Sequence, residues 1–132
     1  MSFSDVWSII LYMKRKNEIN LKEKYIIAVV SLHSPKEKVW GLLLGIDQTG
    51  IWLHGIDINS FDDWSRQVAL HKDASMGLST MFFPMIRIEK IIKDDDVGSI
   101  KSFRSLFCER TGFDVKDFVK IRDLEVIPFI KL

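Results

Sequence analysis

Apolar and polar positions follow two rhythms along this chain, and the change between them divides it into elements. From residue 25 to 53 the sequence YIIAVVSLHSPKEKVWGLLLGIDQTGIWL holds three apolar runs separated by two short turns. Short apolar runs bounded by turn residues are the pattern of strands. A first strand is expected over 25–32, rich in β-branched residues. The polar stretch SPKEK (34–38) connects it to a second strand over 39–46. Gly41 and Gly45 lie inside that strand. Interior glycine weakens a strand unless the sheet bends or another backbone comes close, so the pair predicts strong curvature. Asp47-Gln48-Thr49-Gly50 reads as a tight hairpin. The third strand, 51–58, places Ile51 and Leu53 on one face, Trp52 and His54 on the other.

Elsewhere the period lengthens to that of a helix. Residues 3–15 place Phe3, Val6, Trp7, Ile10 and Leu11 on one face, behind Ser4 as N-cap. A second helix is expected over 61–69, inserted between strands three and four. Ser60 and Asp63 approximate a capping box there, and Phe61, Trp64 and Val68 share a face. Residues 71–80 show no period and read as a loop. Pro84 cannot donate to a ladder, so strand four is placed at 80–83 and strand five at 85–93. After DDDVG (94–98), residues 99–111 form a helix capped by Ser99, with Ile100, Phe103, Leu106 and Phe107 as its apolar stripe. Gly112 ends it and Phe113 folds back onto Phe107. Asp114 caps a short helix over 115–122, and the tail LEVIPFIKL is strand-like.

The pattern contains no linker or repeat, so the 132 residues read as a single domain (1–132), mainly β with helices. An apolar fraction of 47% is ample for a core. Lys and Arg number 19 against 18 Asp and Glu, which lacks the basic excess of an ordinary DNA-binding domain. One cysteine, Cys108, cannot form an internal disulfide, and no apolar run reaches the length of a membrane span. The expectation is a cytoplasmic protein with no membrane association.

Catalytic constellations are missing from the pattern. His33, His54 and His71 lack partners at metal-ligand spacing, so no cofactor or metal is expected. Cys108 reads as a buried structural thiol. Asp62 and Asp63 read as helix-start residues rather than paired acid and base. The three aspartates at 94–96 resemble the start of a calcium loop, but Lys101 and Phe103 stand where later ligands are needed. Trp40, Trp52 and Trp64 offer stacking platforms for bases, with core packing the commoner fate. Lys14, Arg15, Lys16, Lys22 and Lys24 make the densest basic patch.

The order helix, three strands, insert, two strands resembles the Sm-like family of small β-barrels, of the LSm and Hfq type. Val30 and Leu32 match its first strand, Gly41 and Leu43 its glycine pair, and Asp47-Gln48 its turn, before Ile51 and Leu53. The match is fullest over 25–58 and extends loosely over 80–92. The family's RNA-contacting turn between strands four and five aligns with Pro84-Met85-Ile86-Arg87, where Arg87 supplies the cation. The inserted and C-terminal helices lie outside the family core. The resemblance implies a strongly bent five-stranded barrel, homo-oligomeric assembly through strands four and five, and single-stranded RNA contacted by Asp47, Gln48 and Arg87. PKEKVWGLLL, GIDINSFDDW and FFPMIRIEKI also resemble a bacterial family without assigned function. The expected activity is that of a non-catalytic, self-assembling Sm-like protein that binds RNA. The alternative is a protein-interaction module whose contact surface is Trp52, Trp64 and the 61–69 helix, and an enzyme ranks last.

Overall fold

The computed structural model describes residues 25–70 and 77–119. Five strands form one antiparallel sheet: β1 Ile26–Leu32, β2 Glu37–Ile46, β3 Gly50–Asp57, β4 Ser79–Pro84 and β5 Ile88–Lys93. Their order across the sheet is β4-β3-β2-β1-β5. Helices α1 Phe61–Ala69, α2 Phe103–Thr111 and α3 Val115–Phe118 accompany it, with 3₁₀ turns at Ile58–Ser60 and Met85–Arg87. The expected helix at 3–15 with its basic patch, His71 and the strand-like tail lie outside the described residues, as does the end of the expected 115–122 helix.

Among the described residues no ladder joins β4 to β5, and each is paired on one side only, so the sheet is open there. The edges still approach each other at one corner. In a flat sheet they would lie four strand spacings apart, about 19 Å. The chain makes the crossing from Pro84 to Ile88 through one 3₁₀ turn, roughly 8 Å at ~2 Å per residue. Only a strongly curled sheet permits that step.

The curl has a local origin in β2. Gly41 faces Gly55 across the ladder. A Cβ on Gly41 would overlap the His54 carbonyl oxygen, and one on Gly55 the Trp40 carbonyl oxygen. The two backbones therefore run closer than any side chain allows. Gly45 adjoins a bulge in which Leu44 has no residue opposite it, and bulges increase bend and twist.

Both faces of the sheet are covered with apolar side chains. On one, Ile27, Trp40, Leu42, Leu44 and Ile56 pack with Phe61 and Trp64 of α1 and Phe107 of α2. Trp40 meets Phe61 edge-on at 4.9 Å, and Trp64 stacks on Phe107 at 5.0 Å. Such pairs add about 0.5–1.5 kcal/mol each beyond burial. On the other face Val30, Leu32, Val39, Ile51, Leu53 and Phe83 form a second cluster, joined by Ile88 and Ile91 of β5. Burial on two faces explains why β1 reads as a nearly unbroken apolar run.

Four expectations change in detail. Met85–Arg87 is a 3₁₀ turn rather than the start of strand five, because the chain must turn the corner there. Ser60 has helical backbone angles and its hydroxyl makes no cap bond; Asp57 caps the preceding 3₁₀ turn instead. The 99–111 helix begins at Phe103 with Ser102 as N-cap. Val97 and Ile100 exchange backbone hydrogen bonds around Gly98-Ser99, which leaves Ile100 exposed rather than on an apolar stripe. Gly112 ends α2 in the left-handed conformation as expected. Besides Trp64, the ring that meets Phe107 is Phe118, at 5.6 Å, while Phe113 is exposed.

Candidate functional site

The β2–β3 turn is built by one carboxylate. Asp47 Oδ1 accepts from the Thr49 backbone N–H at 2.7 Å, the Thr49 hydroxyl at 2.6 Å and the Gly50 N–H at 3.2 Å. The Thr49 hydroxyl and N–H hold the Asp47 carboxyl below the usual carboxylate range. Asp47 is therefore first a turn builder. Gln48 is exposed at the tip.

The 3₁₀ corner packs against this turn. Met85 N–H donates to the Thr49 carbonyl at 2.9 Å, and Pro84 pairs with Gly50. The corner then runs to the opposite hairpin. The Arg87 carbonyl accepts from His33 N–H at 2.9 Å. Arg87 Nη2 donates to the Pro35 carbonyl at 3.1 Å and to Glu37 Oε2 at 3.3 Å. Asp47 and Gln48 thus share one end of the corner with Met85, and Arg87 points its charge toward the β1–β2 turn. Of the three residues aligned with RNA contacts, the fold brings two together and directs the third elsewhere.

Apolar surface collects around the same corner. Ile86 is 82% exposed, and Met85, Phe82 and Ile46 are exposed as well. Trp52 is half-buried and its ring lies 5.2 Å from that of Phe82 on the neighbouring strand. Trp64 is 1% exposed, enclosed by Trp40, Phe61, Phe107 and Phe118. It fills the core, as its helical spacing with Phe61 foretold, and cannot also present a contact surface.

Several of the remaining polar residues hold the helices. Asp94 accepts from the Trp40 indole N–H at 2.9 Å and from the backbone N–H groups of Phe103 and Arg104. Asp96 accepts from Ser102 N–H at 2.7 Å and the Ser105 hydroxyl at 2.8 Å, and the Ser102 bond leads in lowering its pKa. Asp94 and Asp96 together seat the start of α2. Asp62 of α1 takes the Arg110 guanidinium at 2.7 Å. Cys108 is exposed on α2, contrary to its expected burial. His54 meets the Thr80 hydroxyl at 3.0 Å across β3 and β4. Among the described residues no group of three or more His, Cys, Asp or Glu is placed to hold a metal ion, and no helix is long and apolar enough to cross a membrane.

One cleft of about 480 Å³ lies between the β1–β2 turn, the 3₁₀ turn after β3, and β5, with Glu37, the partner of Arg87, on its wall. It was not legible in the sequence, because the pairing of β1 with β5 brings its walls together. Comparisons with family models, curated proteins and solved structures yield no match.

Proposed function

We propose that this chain is a non-catalytic Sm-like barrel protein that self-assembles through its sheet edges and binds single-stranded RNA on the assembled particle. The strand order carries this reading. An Sm-type barrel leaves strands four and five with unpaired outer backbone groups, which a neighbouring copy can satisfy. Here β4 and β5 are the two edges, each paired on one side only among the described residues. The edges differ in character: β4 reads STMFFP without a charge, while β5 reads IEKIIK. Pairing β4 of one copy with β5 of the next is a head-to-tail contact, which closes into a ring when the rotation permits.

The RNA contact is assigned to Gln48 and the Met85–Arg87 corner, with Trp52 and Phe82 as the stacking surface. Arg87 reaches a phosphate only by leaving Glu37. Removing that competitor therefore strengthens binding. Titration of U-rich and A-rich oligonucleotides at low salt should show Glu37→Gln binding more tightly than wild type and Arg87→Ala more weakly. Affinity should fall steeply as salt rises, because each neutralised phosphate releases counterions. No binding by wild type, or equal binding by all three proteins, rejects the RNA assignment.

A second reading is a protein-interaction module. The contact of half-buried Trp52 with exposed Phe82 favours it, since aromatic residues are enriched in protein interfaces. It takes precedence if the oligonucleotides do not bind.

A further inference from the structure

Ser31 is the one buried hydroxyl among the described residues that has no hydrogen-bond partner. It is 3% exposed and lies on the wall of the 480 Å³ cleft. Buried polar groups are almost always paired, so an orphan next to a cleft marks a place for an external oxygen. Its neighbours state which kind. Ser31 pairs with Lys38 on β2 and with Lys90 on β5. Directly opposed residues share a face of the sheet, so the three form a row, lysine–serine–lysine, across three strands. Lys36 of the adjoining turn lines the same cleft. None of the three lysines has an ion-pair partner among the described residues.

We infer that this cleft is a binding site for a small phosphate ester, its phosphate held between Lys38 and Lys90 over the Ser31 hydroxyl. Three ammonium groups and a hydroxyl offer more donors than the two oxygens of a carboxylate use, and suit the terminal oxygens of a phosphate. The cleft also carries Glu37, Asp57 and Glu89. Glu37 is held by Arg87 at 3.3 Å, and Asp57 Oδ1 accepts from Asn59 N–H. These carboxylates balance the lysines in number and repel a polyanion. They leave acceptors for the hydroxyl or amino groups of a compact ligand. The volume falls within the roughly 300–1,000 Å³ of small-molecule sites. The cleft meets the corner assigned to RNA at the Arg87–Glu37 pair, but its Ser31, Lys38 and Lys90 lie outside that corner and do not depend on the assignment.

The test is an amide chemical-shift titration of the full chain with inorganic phosphate, uridine monophosphate and uridine. Saturable shifts at Ser31, Lys38, Lys90 and Asn59 are expected with the two phosphates and not with uridine. Tighter binding of the monophosphate than of phosphate identifies the ester, and equal binding overturns that part. Lys38→Gln/Lys90→Gln changes only exposed side chains and should keep its fold by circular dichroism. It should weaken binding by about tenfold for each lysine removed. Ser31→Ala should weaken binding without lowering the melting temperature, because it deletes an unpartnered group. Absence of saturable shifts, equal response to uridine, shifts confined to residues 47–49, or undiminished binding by the double variant overturns the site.

Discussion

Trp64 shows how far one residue can be read from spacing alone. Its helical register with Phe61 and Val68 announced a buried face, and the fold places it between Trp40 and Phe107. Trp64→Ala should destabilise the protein by about 3–5 kcal/mol in chemical denaturation. Gly41 was legible as a bend, but its cause was not, because Gly55 becomes its partner only through the β2–β3 register. Gly41→Ala should cost about 1–3 kcal/mol or more, since its Cβ meets backbone that cannot yield. A Gly41→Ala variant as stable as wild type would remove the close approach as the source of the curl. Asp114 gives the pH dependence. Arg104 donates to it through two nitrogens at 2.8 and 2.6 Å and holds its carboxyl below the ordinary range. A carboxylate with a lowered folded-state pKa stabilises the fold above its unfolded value and loses that contribution as pH falls through the folded one. Stability should therefore decline below about pH 4. The part due to this half-exposed pair should be under ~1 kcal/mol and absent in Arg104→Gln.

Elements were more legible than their ends. The α1 segment matches its expected span because an apolar stripe and flanking polar residues define it locally. The start of α2 was misplaced because Ser99 and Ser102 are equally good caps in sequence. What decides is Asp94, which belongs to the sheet edge through its N–H bond to the Ile27 carbonyl and reaches the first N–H groups of α2. Asp94 also accepts from Trp40, whose side chain is fully buried. Asp94→Ala therefore removes a helix-start acceptor and orphans an indole N–H together. The expected loss is about 2–4 kcal/mol. An Asp94→Ala loss no greater than that of its exposed neighbour Asp95→Ala would show that Asp94 does not seat the helix. The candidate RNA residues divide along the same line. Asp47 and Gln48 form a local turn and could be placed from sequence. The direction of Arg87 depends on a corner joining two hairpins distant in sequence, and no local pattern encodes it.

At the scale of the molecule, the proposed assembly rests on the two sheet edges left unpaired among the described residues. β4 is short, uncharged and aromatic, and lacks the lysines that natural edge strands use to discourage pairing. β5 carries Lys90 and Lys93. A mass measurement by light scattering on the purified full chain tests self-assembly most directly, with Phe82→Lys alongside to place a charge on the β4 edge. The proposed assembly predicts a monodisperse particle whose mass is a whole-number multiple of the chain for wild type, shifted toward the single chain by Phe82→Lys. A monodisperse single chain for wild type at the same concentration would contradict it.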